Sequence, residues 1–190
     1  MLPIALKEWA SAIKALEDGS QIFIMRKGGI VEETRDFQVQ ADAFFLYPTY
    51  EHQRKGLLKE EFRGVIDDTL AGWSPDDKEV KIGVYAQMVE DILVSDQEQL
   101  DKIFPFHIWT ENFTEERLKW KRSNPLHIML LRVHKLEQPL HIPIEQAYLG
   151  CRSWIQVQAS LPSDIAMTPV LSDSQFAAQA DEIKRRLASN

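Results

Sequence analysis

The chain opens on apolar residues at helical spacing. Leu6, Trp9, Ile13 and Leu16 recur every three or four positions, and Pro3 suits a first helical turn, where its missing N–H costs nothing. Gly19 tolerates positive φ and ends that predicted helix. The period then changes. Residues 21–26 predict a strand, Lys27-Gly28-Gly29 a tight turn, and residues 36–47 a longer strand, so the three form a hairpin or near-hairpin. Residues 51–63 predict a helix with Leu57, Leu58 and Phe62 inside. Residues 72–78, with a Ser-Pro-Asp-Asp turn, are the clearest loop.

In the second half, residues 80–94 predict one long strand bent near Gly83. Ser95 and Glu98 form a capping-box pattern before a short helix carrying Leu100, Ile103 and Phe104. Residues 110–120 predict another helix. Residues 126–136 and 153–159 predict strands, and residues 140–142 a short one whose flanking Pro139 and Pro143 favour a sheet edge. Ser172 and Gln175 form a second capping box. Phe176, Ala180, Ile183 and Leu187 then give a narrow apolar stripe, with Lys184, Arg185 and Arg186 at the favourable C-terminal end. Strands in both halves with short connections predict an α+β fold with a mixed, curled β-sheet, not a doubly wound parallel sheet. Residues 1–160 are expected to form a single domain. Residues 161–190 are expected to form a linker and a C-terminal amphipathic helix, available to a protein partner.

Composition narrows the function classes. The 190 residues are 44% hydrophobic, enough for a core without staples. A single cysteine, Cys151, excludes an internal disulfide and suits a reducing cytoplasm. No signal pattern appears, and no apolar run approaches the roughly 18 residues of a membrane span. Net charge is −7, from 22 basic and 29 acidic residues. That disfavours broad duplex binding, which needs cations on many phosphates, but not a small basic pocket.

The candidate chemistry concentrates in Leu46-Tyr47-Pro48-Thr49-Tyr50-Glu51-His52-Gln53, a polar corner after an apolar strand. Tyr47 and Tyr50 suit stacking on a ring, His52 an acid, base or ligand, and Glu51 its orientation. The competing reading is a plain strand-to-helix corner. Arg26-Lys27-Gly28-Gly29 pairs two cations with two glycines, as anion sites do, although no P-loop lysine pattern follows. Phe106-His107-Ile108-Trp109-Thr110 could wall a pocket, or simply pack. Cys151 beside Arg152 suggests an activated thiol with His52 or His107, or a buried structural cysteine. Glu79-Val80-Lys81 with upstream Asp67 and Asp68 superficially fits a metal-dependent nuclease. His127, His134 and His141 show no metal-ligand spacing. No metal and no cofactor are assigned.

Five motifs in order carry a family resemblance: Leu6-Lys7-Glu8-Trp9, Arg26-Lys27-Gly28-Gly29-Ile30, Tyr47 to Gln53, His107-Ile108-Trp109-Thr110 and Gly150-Cys151-Arg152-Ser153-Trp154. Over about residues 4–160 the chain resembles a bacterial family, frequent in cyanobacteria, called domain of unknown function 1802. That family implies kinship and no activity. A fainter resemblance is to ASCH domains of the PUA-like β-barrel superfamily, which carry Gly-x-Lys-x-x-Glu-x-Arg after their first helix. Gly19 and Arg26 hold the outer positions, with Gln21 in place of the lysine and Ile24 in place of the glutamate. The later order is also similar: a Gly83-containing strand, a helical insert, then Leu130-Leu131-Arg132-Val133 leading to Pro139. The resemblance implies a PUA-like β-barrel with flanking helices that binds RNA or modified bases.

The leading expectation is therefore a cytoplasmic domain binding a nucleotide or nucleic-acid element in a cleft. Arg26 and Lys27 would meet phosphate, with Arg152 nearby. Tyr47, Tyr50 and Trp109 would stack, and His52 and Gln53 would read polar edges. The alternatives are a nuclease or other hydrolase with Glu51 and His52 as catalytic candidates, and an accessory protein that binds its partner through the terminal helix.

Overall fold

The structure is a computed structural model that describes residues 2–27, 37–120 and 124–189. Its strands are β1 (Ile4–Trp9), β2 (Phe23–Arg26), β3 (Ala43–Thr49), β4 (Glu79–Val94), β5 (Leu126–Pro143), β6 (Trp154–Gln156) and β7 (Met167–Pro169). Its helices are α1 (Ala10–Glu17), α2 (Arg63–Leu70), α3 (Gln97–Lys102), α4 (Glu111–Lys119) and α5 (Asp173–Ala188). The strands form one mixed sheet in the order β2-β5-β4-β3-β1-β6, with β7 continuing the β2 side of β5. Among the described residues only β1 and β3 run parallel. The α+β expectation with a mixed sheet is met.

The sheet curls without closing through backbone hydrogen bonds, so among the described residues it is an open sheet and not a barrel. A side chain spans the gap. Arg26, at the end of edge strand β2, donates to the Lys7 carbonyl of β1 at 3.2 Å and to Ser153 Oγ just before β6. Its guanidinium also lies 3.5 Å from the buried Glu8 carboxylate.

Alternation sorts the side chains. Ile24 of β2 packs with Leu6, Phe44, Leu46, Met129 and Leu131 on one face. Phe23 and Met25 face the other way, with Ile128 and Leu130, under residues of α3, α4 and α5. The α5 stripe of Phe176, Ala180, Ile183 and Leu187 belongs to this second core. The expectation of a stripe available to a partner is therefore corrected, because the domain itself covers it. The Ser172/Gln175 capping box forms with both of its hydrogen bonds.

Several elements differ from the sequence expectation, each for a physical reason. Residues 4–9 are a strand, not a helix. Ala5 and Leu6 point to opposite faces and both are fully buried, since β1 lies between β3 and β6. The expected hairpin is absent: β2 pairs with β5, while β3 pairs with β1 and β4. Its turn residues Gly28 and Gly29 lie outside the described residues. The helix expected over residues 51–63 is replaced by 3-10 turns, and α2 begins at Arg63. There the backbone bonds elsewhere: Lys59 N–H donates to the Ile108 carbonyl, and Thr110 N–H to that of Leu57. The cap of α3 is Asp96, one residue beyond Ser95.

The irregularity expected near Gly83 is present, as a bulge. The pairs Ile82–Leu140 and Val84–Lys135 bracket Gly83 on β4 and four residues, Leu136 to Pro139, on β5. This bulge merges the two expected strands into β5 and takes Pro139 out of the ladder, where a proline is tolerated.

Candidate functional site

The bulge opens a groove between α1, the end of β3 and the β4–β5 ribbon. One lobe, about 550 Å³, is bounded by Tyr47, Tyr50, Trp73, Lys78 and His141. The other, about 390 Å³, is bounded by Lys14, Glu17, Gly83, Lys135 and Pro139. Pro48, Tyr50 and Lys81 line both lobes, which makes the groove continuous.

Local structure explains how the first lobe is held. Thr49 Oγ1 donates to the Glu8 carbonyl at 3.1 Å, which fixes the end of β3 against β1. Gln53 then secures the corner. Its Oε1 accepts from Ser11 N–H at 2.8 Å, and its Nε2 lies 3.3 Å from Thr69 Oγ1 on α2. Trp9 caps α1 without a side-chain hydrogen bond, so Gln53 supplies one from across the fold. Tyr50 is left half-buried and stacked on Trp73, with centroids 5.1 Å apart and planes within 16°. Burial, then Asp77, raises the Tyr50 pKa, and burial pushes Tyr47 up to about 12, so both phenols keep their protons at neutral pH.

The groove is richer in cations than the chain as a whole. Lys78 and Lys81 are exposed, and among the described residues neither has a carboxylate partner. Glu79 faces His141 at 3.9 Å, a loose contact on an exposed strand pair.

The sequence candidates do not converge here. Tyr47 and Tyr50 line the groove, and Gln53 supports it from behind. Glu51 and His52 sit on the exposed turn and line neither lobe. Arg152 and Cys151 are both exposed on one loop outside the groove, so the expectation of a buried structural cysteine is corrected. Arg26 is engaged in the sheet clasp. Lys27 is 4% exposed, and its ammonium donates to the Leu118 carbonyl, so it does not present a free cation to phosphate. Trp109 is 1% exposed and stacked on Phe113, with centroids 4.7 Å apart, so it is a core residue and not a ligand platform. His107 is buried beside it. Burial and then Lys59 lower its pKa to about 3, which keeps the imidazole neutral, and Nδ1 accepts from Trp109 N–H. A Cys151–His107 pair is therefore excluded by the burial of one and the exposure of the other. Asp67 pairs with Lys55 at 2.6 Å, and among the described residues no group of His, Cys, Asp or Glu gathers as a metal site would.

Two positions of the ASCH-like pattern have packing roles. Gln21 is 1% exposed; its Nε2 donates to the Phe23 carbonyl and its Oε1 accepts from Ile108 N–H. Ile24 is fully buried. The sequence reading missed Trp73, Lys78, Lys14 and Lys135 as site residues. A tryptophan inside an otherwise polar loop was the available signal.

Three solved structures similar to this fold are of the ASCH protein from Zymomonas mobilis. The unmutated protein and its serine-to-alanine variant each match with 12% identity, 94% of both chains covered and a TM-score of 0.45. A tyrosine-to-phenylalanine variant matches with 10% identity, 95% of this chain and 98% of that one covered, and a TM-score of 0.44. No curated protein matches in sequence. The model of the family described as domain of unknown function 1802 (DUF1802) matches residues 5–182, and the chain belongs to that family.

Proposed function

We propose that the groove binds a nucleotide or a short single-stranded nucleic-acid element. The observation that carries this reading is the partly exposed Tyr50–Trp73 stack beside Lys78 and Lys81, which have no carboxylate partner among the described residues. Aromatic faces accept any base, and lysines beside them meet the phosphates. The net charge of −7 fits such a local site better than a duplex-binding surface. The reading agrees with the RNA or modified-base ligand that the PUA-like resemblance implies, but it moves the contacts. Tyr50 and Trp73 replace Trp109 as the platform, and Lys78 and Lys81 replace Arg26 and Lys27.

Titration with short single-stranded RNA, followed by quenching of tryptophan fluorescence, tests it. Tyr50→Ala is expected to weaken binding by about 1–3 kcal/mol, the usual value of one stacked base. Absence of binding at low salt by the unaltered protein overturns the proposal.

A further inference from the structure

The second lobe has a charge arrangement that base stacking does not explain. Lysines from three separate elements line it: Lys14 of α1, Lys81 of β4 and Lys135 of β5. Between them lie the apolar side chains of Ile13, Leu46, Val84 and Leu136 and, at Gly83, bare backbone. A Cβ added at Gly83 would meet nothing within 4 Å, so that space is open to a ligand.

One carboxylate on the wall, Glu17, engages two of the three lysines. Its Oε2 lies 3.4 Å from Lys14 Nζ, and its Oε1 lies 3.1 Å from Lys135 Nζ. Asp18 is a second partner of Lys14, at 3.1 Å. Lys81 is left over, at the junction with the aromatic lobe. Glu17 thus sits among these cations as an internal anion.

Resting on the reading of the groove given above, we propose that this lobe receives the terminal phosphate of the bound nucleotide, and that Glu17 is the anion this phosphate displaces. Lys81 lines both lobes, as the group joining a stacked base to its phosphate requires. The competition also selects the phosphate type. A terminal phosphomonoester carries close to two charges at neutral pH, whereas an internal diester carries one. Against a resident carboxylate of one charge, the monoester has the advantage on lysines and the diester has little. The ligand class is therefore a mononucleotide or the phosphorylated end of a strand.

Calorimetric titration of the full chain with adenosine, AMP, and a short RNA with and without a 5′-phosphate separates these cases. AMP is expected to bind about tenfold more tightly than adenosine, on the scale of a charge-assisted contact to phosphate. Lys81→Ala should remove that advantage. Glu17→Gln should tighten AMP binding by about threefold and leave adenosine unchanged, an outcome that a purely structural bridge from α1 to β5 does not produce. Gly83→Val suits a strand and places its Cβ where nothing lies within 4 Å, so it should keep the fold and lose the phosphate preference. A preference shown by AMP alone assigns the free nucleotide, and one shown by the phosphorylated RNA alone assigns the strand end; both support the lobe's role. Equal affinity for phosphorylated and unphosphorylated ligands overturns the phosphate lobe and leaves the stacking reading intact, as does weaker AMP binding in Glu17→Gln. Failure of every ligand to bind overturns both.

Discussion

Two aromatic stacks in this molecule have nearly the same geometry and opposite meanings. Trp109 and Phe113 lie 4.7 Å apart with planes within 7°, and Tyr50 and Trp73 lie 5.1 Å apart with planes within 16°. The first is sealed in the core beneath α5, with Leu58, Ile108 and Ile183 in the same cluster. The second walls an open groove beside Lys78 and Lys81, which lack a carboxylate partner among the described residues. Stacking by itself therefore does not mark a site. What separates the two pairs is the open groove that the second borders and the charge beside it.

Removing one tryptophan from each stack sharpens that contrast most. Trp109→Ala leaves a large cavity in a closed core and is expected to cost about 3–5 kcal/mol. Trp73→Ala removes a partly buried ring at the edge of an open groove and should cost clearly less stability than Trp109→Ala while weakening ligand binding. Chemical denaturation of both variants checks it. Comparable losses of stability would mean that the Tyr50–Trp73 pair is a second core.

The same contrast explains what the sequence made legible. Polar crowding over residues 46–53 pointed to a corner next to a groove, and Tyr50 is in that groove. Periodicity and capping signals found α4, α5 and the irregularity at Gly83. For Trp109 the sequence left packing and pocket wall both open, because a tryptophan before a helix has the same local pattern whether or not another helix covers it; the structure decides for packing. Nor was the pairing of residues 4–9, where apolar residues at helical spacing also satisfy a strand buried on both faces. Lys14, Lys81 and Lys135 are distant in sequence, and only the packing of α1 beside the bulged β4–β5 ribbon brings them around one space.

A pH series tests the buried side of the comparison. His107 has its pKa lowered to about 3 from the 6.5 of the unfolded chain. Below pH 6.5 the unfolded state binds a proton that the folded state refuses, so stability falls as pH falls toward about 3. The slope from this residue should approach about 1.4 kcal/mol per pH unit, and His107→Gln should abolish it. A difference between the two proteins that stays flat from about pH 7 to about pH 4 would show that His107 is accessible to protons in the folded state.

The smallest effects lie within the polar corner itself, between neighbours that the sequence could not rank. Gln53 accepts from Ser11 N–H at the uncapped start of α1 and reaches Thr69 on α2. His52, next to it, is exposed and has no hydrogen-bond or ion-pair partner among the described residues. Gln53→Ala strands the Ser11 donor and loosens two helices, so it should cost about 1 kcal/mol and lower Tm measurably. His52→Ala removes a side chain from solvent and should stay within about 0.5 kcal/mol of the unaltered protein, with RNA titration unchanged. Reversal of that order, with His52→Ala impairing binding while Gln53→Ala does not, would move the working surface from the groove to the outer face of the turn. The aromatic comparison would then lose its second member, because Tyr50 would be stacked on Trp73 only to support a histidine beside it.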